Sequence, residues 1–426
     1  MQLSTPSPGR VSSLTEHATV PSPQPRFFIG LVAGCTALTA AAIDILLPAF
    51  PKIRKEFGLP AGSGRVSLLI TAFFLGLALG QLFYGPLSDR FGRRRPLLVG
   101  LAIYIAGGVA TTLATGFNSM IFWRFIWGLG AAAPRSLSIA MVRDTSDGES
   151  MARIMSLVMA TFIVVPVMAP SVGSLLISVG PWRLVFWVAI VGAVLVAAWV
   201  RVIPETLPPE RRRAIGPSAL LDAFRVVARS RPTVGFGLAV TFLFATMSSW
   251  VGGSEIMIED ALGQGKHFAL IFGMIAMTFG FASLASARIV RQIGLNRLVH
   301  LGAFGVVITG AVALTVALTT DGRPPTWLFV GMMMIVLPSV AALVPSLNTA
   351  AMVPVPQVAG MAAAVLGTLS TAGGAILGAF VDNSLRSSIT PFAIGALTFG
   401  ILASASILLV AQPARRGFVA TVPSRA

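Results

Sequence analysis

Three charged side chains fall inside long uncharged stretches of this sequence. Asp44 lies within residues 27–51, and Arg124 and Arg135 lie within 119–142. An ionised group at the centre of a bilayer costs about 2.5–3.5 kcal/mol on insertion scales, so groups found there are functional candidates by default. A carboxylate in such a place can take up and release a proton. A guanidinium can hold that carboxylate ionised, or attract an anionic or electron-rich solute. Asp44 sits shortly before the end of its apolar run and Arg124 shortly after the start of its own, so the two should share a depth and can pair. Arg135 follows Arg124 by three helical turns, about 20° of rotation and roughly 16 Å of rise. Both arginines therefore occupy one stripe of their helix, facing a central cavity if either does.

Two mechanisms remain open on these residues. In one, Asp44 carries a proton and Arg124 holds it ionised until the cavity changes. Pairing with a cation makes protonation harder, so that pair must break during a cycle. In the other, Asp44–Arg124 is a structural brace and Arg135 attracts the solute. Glu255, near the end of a later apolar run, is a second acid of interest, although acids at an interface are usually solvated. Phe73, Trp127, Trp250 and Met247 can line an apolar pocket, while bulky residues on such segments commonly face lipid or neighbouring helices.

A second group of charges is packed into "GPLSDRFGRRRPLL", residues 85–98, where five fall between Asp89 and Arg95. The flanking stretches Val66–Ser88 and Pro96–Trp123 contain none. Gly85 permits close helix approach, and Asp89 can pair with cations or a helix N-terminus across an interface. The arginines can reach Asp144 at the end of another apolar run. Taken alone, four arginines would serve as a topological anchor.

The elements that must position these groups follow from composition. The chain of 426 residues is 55% hydrophobic and 11% charged, with a mean hydropathy of +0.85. A helix needs about 20 apolar residues to cross roughly 30 Å of hydrocarbon. The runs are too long for membrane strands and lack their two-residue alternation. Uncharged runs and Gly/Pro breaks give twelve spans: 27–50, 66–88, 96–116, 119–142, 154–178, 183–202, 233–254, 268–287, 298–319, 326–350, 358–382 and 389–411. The expected fold is an all-α membrane protein of two six-helix, pseudo-symmetric halves, 27–202 and 233–411. These are joined by a cytoplasmic linker, 203–232, and flanked by tails at 1–26, expected to be disordered, and 412–426. Of 31 Lys and Arg, 21 lie on the side of the termini and 8 on the other, which predicts both termini in the cytoplasm. The exception is "KIRKEFG", residues 52–58, on the outer side. Gly92 and Gly100 have counterparts 202 residues later in Gly294 and Gly302, which suggests a duplication.

Composition also excludes several classes. The net charge of +16 resides in short loops, where it sets topology and touches lipid headgroups, so nucleic acid is not an expected partner. One cysteine, Cys35, and the scattered His17, His267 and His300 offer neither a disulfide framework nor a metal cluster. "GQGK" at 263–266 lacks the residues of a phosphate loop, so direct use of ATP is unsupported.

The 85–98 stretch resembles the signature loop between helices two and three of the major facilitator superfamily, through Gly85, Asp89, Arg90, Gly92, Arg93 and Arg94. That resemblance implies a cytoplasmic latch that stabilises the outward-open state, with Asp144 as a partner. "DILLPAFP", residues 44–51, is similar to the Asp-containing motif of twelve-helix drug–proton antiporters, especially exporters of the bicyclomycin and chloramphenicol resistance type. "RFIWGLGAAAPRSLSIAMVRD", 124–144, resembles a further motif through Arg124, Gly128, Gly130, Arg143 and Asp144, with Trp127 replacing the usual glutamine. "PVMAPSVGS", 166–174, resembles the antiporter motif through Pro166, Pro170 and Gly173, with Ala169 where many members have glycine. The two prolines should bend their helix where spans of one half meet. The resemblance implies a proton-coupled exporter of small, largely apolar compounds such as antibiotics, situated in the plasma membrane. It would have no enzymatic activity and no cofactor, and would act as a monomer. A metabolite facilitator or symporter on the same fold, or a non-transporting receptor or scaffold, are the alternatives.

Overall fold

Pro48 and Pro51 decide how the first span is built. In the computed structural model, which describes residues 25–212 and 217–411, the first helix α1 (Pro25–Asp44) stops four residues before Pro48. Pro48 has no N–H to give to the carbonyl of Asp44, and its ring crowds that carbonyl. The chain turns, then resumes as the short α2 (Phe50–Glu56), so α1 and α2 together make one broken span.

The rest of the first half consists of α3 (Leu68–Phe91), α4 (Arg94–Leu113), α5 (Phe117–Thr145), α6 (Gly148–Val179) and α7 (Leu184–Val202). The linker forms α8 (Pro217–Arg229). The second half follows as α9 (Arg231–Glu255), α10 (Phe268–Ile293), α11 (Leu295–Thr319), α12 (Thr326–Met352), α13 (Ala359–Ser384) and α14 (Thr390–Ala405). Twelve spans are long and apolar enough to cross a membrane, and no strand occurs among the described residues. Helices satisfy all backbone donors and acceptors internally, the condition for a chain surrounded by hydrocarbon. The outer surface is accordingly apolar, with Val179, Leu195, Phe281, Leu301 and Phe380 exposed. The chain alternates direction, so Gly92 and the linker share one face, termed the linker side. Arg54 and Glu255 lie at the opposite face, the far side.

Glycines set the close crossings. A Cβ at Gly76 of α3 would strike the carbonyl of Phe125, and one at Gly128 of α5 would strike that of Phe73. Each helix thus clears the other's path. Gly85 was expected to play this part, but a Cβ there would meet nothing, because it lies on an open face of α3 while Tyr84 and Ser88 beside it are buried. The duplication is visible in backbone geometry. Gly92 ends α3 at φ +86° and ψ 167°, and Gly294 ends α10 at φ +83° and ψ 156°, a region open in practice only to glycine. Gly100 and Gly302 each pack directly on a side chain of another helix, Ala133 and Leu343.

The halves meet along α3–α13 and α6–α10. Phe74 and Phe244 cross edge-on at 5.3 Å, and the Thr368 hydroxyl donates to the Ala78 carbonyl at 2.8 Å. The sequence marked 203–232 only as a polar linker. Its described part contains α8, which buries Val227 against the second half, and Glu205, which receives the N–H groups of Arg93 and Arg94 at 2.7 and 3.1 Å. A carboxylate at the N-terminus of α4 satisfies donors that the helix leaves unpaired. The expected N-terminal tail, 1–26, lies outside the described residues apart from the backbone of 25 and 26. Residues 213–216 of the linker and the 412–426 tail lie outside them as well.

Candidate functional site

Asp44 closes α1 and is buried, with 5% of its surface accessible. Among the described residues no ion pair or hydrogen bond reaches its carboxylate. Directly beside it, Gly173 of α6 lies against the carbonyl of Ile45, where a Cβ would have no room. The stretch that resembles an antiporter motif therefore seats the break in the first span. Pro166 and Pro170 both lie within the continuous helix α6, which packs on α1 of its own half and on α10 of the other. The helix that carries these prolines thus meets a span of its own half, as expected, and meets the other half as well.

Arg124 does not pair with Asp44. It is completely buried, and its Nε donates to the Leu69 carbonyl at 3.1 Å and its Nη1 to the Ala42 carbonyl at 3.0 Å. The reason is the early end of α1, which leaves its last carbonyls without helical donors. A guanidinium is well suited to take them, both as a donor and as a cation at a helix C-terminus. Arg124 thus braces α1 and α3 through the backbone, and Asp44 is left without a counter-charge.

The aromatic residues expected in a substrate pocket belong to the interior instead. Phe73 and Trp127 are fully buried and lie 4.7 and 5.1 Å from the Arg124 guanidinium. Trp127 is also packed edge-on by Tyr104 and Phe186, within one half. Trp250 stacks on Phe272 inside the second half at 5.5 Å. Large rings at these levels fill the crossings that glycines open. Met247 and Arg135 remain partly exposed. Arg135 has no carboxylate partner among the described residues. The shared stripe expected for the two arginines is therefore corrected: Arg124 points into the first half, and only Arg135 retains an accessible surface.

On the linker side, Arg93 gathers three elements. Its Nε donates to Asp144 at 2.7 Å, and its Nη1 donates to Asp89 and to Ser88, each at 2.6 Å. Burial by itself opposes the Arg93 charge, but the hydrogen bonds and charges of Asp144 and Asp89 prevail and hold its pKa above the ordinary value. Asp89, expected to act across the interface, is here engaged inside the first half. Arg94 is tied to Glu205 through its N–H and to the Arg201 carbonyl through its guanidinium. Arg90 lies outside, over the Phe91 ring.

The charge contact between the halves is on the far side, where the sequence reading did not place it. Arg54 of α2 makes a two-pronged pair with Glu255 of α9, 2.7 Å on each prong, and reaches Asp260 at 3.2 Å. Glu255, expected to be solvated, is fully buried, and Arg54 is 4% exposed. The signal was available. The exceptional basic loop "KIRKEFG" and the acidic "EIMIED" of 255–260 stand at equivalent positions of the two repeats. Arg54 and Glu255 are 201 residues apart, against 202 for the paired glycines. Equivalent positions of two halves meet on the axis that relates them, and here one carries a cation and the other an anion.

Twelve apolar spans in two related halves, with charges buried at a helix break and between the halves, define a multi-pass membrane transporter. Residues 32–379 match the family model of the Major Facilitator Superfamily, and the chain belongs to that family. It is 29% identical over 377 residues to an uncharacterized MFS-type transporter of Bacillus subtilis, YdgK, covering 88% of this chain and 91% of that one. It is 28% identical over 380 residues to a bicyclomycin resistance protein homolog of Haemophilus influenzae, covering 87% and 92%. Among solved structures, the inward open conformation of the Escherichia coli xylose transporter XylE superposes with a TM-score of 0.73 at 14% identity, covering 91% of this chain and 96% of that one. That likeness establishes the fold.

Proposed function

We propose that the protein is a proton-coupled exporter of small, largely apolar compounds, antibiotics among them, working by alternating access. The observation that carries this reading is Asp44, a carboxylate buried at a mid-span helix break with no counter-charge. Such a group is neutral while dry and ionises when water reaches it, which is what a carrier of protons requires. Arg124 holds the break in place through backbone carbonyls, so Asp44 need not dissolve an ion pair before it takes a proton. The relative named as a bicyclomycin resistance protein homolog supports the compound class.

In this proposal the proton gradient supplies the energy, no cofactor takes part, and a single chain suffices. The linker side is cytoplasmic, as its excess of cations suggests. The conformation here has the far side closed by Arg54–Glu255, and export requires that pair to part. The Asp89–Arg93–Asp144 cluster then exchanges partners, with Asp89 released toward the other half in the outward-open state. Arg135, partly exposed and with no carboxylate beside it among the described residues, attracts electron-rich groups on the solute.

Drug or dye uptake into inverted membrane vesicles under an imposed proton gradient tests the reading. Gradient-dependent accumulation, abolished by a protonophore, is expected. Movement in the opposite direction selects a symporter or facilitator, and no flux of any solute selects a receptor or scaffold.

A further inference from the structure

Asp382 lies two residues before the end of α13 on the far side, where the halves are closed against each other, and it is 2% exposed. Helices of both halves press on it. From the second half, Ser249 of α9 donates its hydroxyl to Oδ1 at 2.9 Å. A Cβ at Gly252 would collide with the carboxylate, and one at Gly253 would strike the Leu385 side chain and press on Oδ1. From the first half, Gly64 lies against the Asp382 carbonyl, and the Ser67 hydroxyl is the other hydrogen-bonding neighbour of the side chain. Glycines clear a fitted seat around an acid in the seam between two moving bodies.

No cation completes this seat among the described residues. Arg65 from the first half and Arg386 beyond α13 are both exposed and form no pair with Asp382. Arg54 is engaged by Glu255 and Asp260. The packed faces of α12 and α14 bring no charged residue at all. The C-terminal end of α13 adds a negative dipole, which disfavours an anion there. The Ser67 hydroxyl also donates to the Gly64 carbonyl at 2.7 Å, so its single proton is shared with that acceptor and does not serve the Asp382 anion alone.

We propose that Asp382 is a second proton-binding site, whose protonation accompanies closure of the far side. Opening withdraws Gly64 and Ser67 from α13 and admits water, which stabilises the anion; closing returns the group to its dry seat as the neutral acid. The proton joins and leaves on the far side. It therefore sets the closing equilibrium and is not carried across. Only its consequence for transport, that acid outside hastens the return step, rests on the proton-coupled reading above.

Spin labels at Lys55→Cys and Lys266→Cys, exposed residues of opposite halves, report far-side opening by pulsed distance measurements in a Cys35→Ala background without substrate or gradient. Glu255, Glu259, Asp260 and His267 also lie on this side, so wild-type titration alone does not assign the proton. One proton linked to closure changes the open-to-closed ratio by up to about tenfold per pH unit. Asp382→Asn is expected to remove that increment and to remain closed at alkaline pH. An undiminished slope in Asp382→Asn overturns the proposal. So does a wild-type ratio that responds at fixed pH to replacing sodium by choline and loses that response in the variant, which would assign a metal cation. Ser249→Ala keeps the acid and removes the donor that serves its anion, so opening should demand a higher pH; an unmoved midpoint also overturns the proposal. Because no flux is measured, failure of the export reading leaves these outcomes intact.

Discussion

Replacing Arg54 by alanine removes one partner of the buried pair that closes the far side. Glu255 is then left fully buried, with its carboxylate facing a vacated volume and with Asp260 and Glu259 as acidic neighbours. Deleting one member of a buried ion pair costs about 3–5 kcal/mol, because the surviving charge keeps its desolvation penalty. The pair joins the halves, so the penalty falls on the far-side-closed state and largely spares the open one. At about 1.4 kcal/mol per decade, the closed-to-open ratio should fall by roughly two to four decades. The paired labels at Lys55→Cys and Lys266→Cys read this ratio directly, as a longer distance distribution in Arg54→Ala. Adding Glu255→Gln removes the stranded charge and should restore most of the closed population, giving a coupling well outside that of independent sites. Closure that is unchanged in Arg54→Ala, or not recovered in the double variant, would refute the reasoning.

Asp44→Asn should abolish gradient-driven accumulation while substrate binding persists, as measured by vesicle uptake beside equilibrium binding in detergent. Combining it with Arg124→Gln should not rescue transport, because Arg124 serves carbonyls that remain in need of donors; a rescue would show that the two charges were paired after all. Gly173→Val should displace the Ile45 turn and lower thermal stability in detergent by the few kcal/mol typical of overpacking, about 1–3, whereas Gly85→Ala, set in open space, should be neutral in the same melt. Arg93→Ala should sharply reduce transport while the protein still inserts, since Asp89 and Asp144 lose their common partner; full turnover would reduce the loop to a topological signal.

The spans were legible in the sequence because each follows from a local quantity, the length of an uncharged run. The break after Asp44 was not among the expectations, which had one continuous span over 27–50, although Pro48 accounts for it. What lay beyond reach was the choice of partner. Asp44 and Arg124 share a depth, as spacing along their helices requires, yet the guanidinium meets the Ala42 carbonyl freed by the break in α1 and the Leu69 carbonyl at the start of α3, neither of which periodicity reveals. Glu255 was read as solvated because burial at the end of a span depends on what the other half brings there. Asp382 escaped notice at the edge of a run for the same reason. Sequence determines how each helix crosses the membrane and which charges it must carry. Only the packing of the two halves decides which of those charges become neighbours and which are enclosed without one, since that depends on surfaces about two hundred residues apart, as in Arg54 and Glu255.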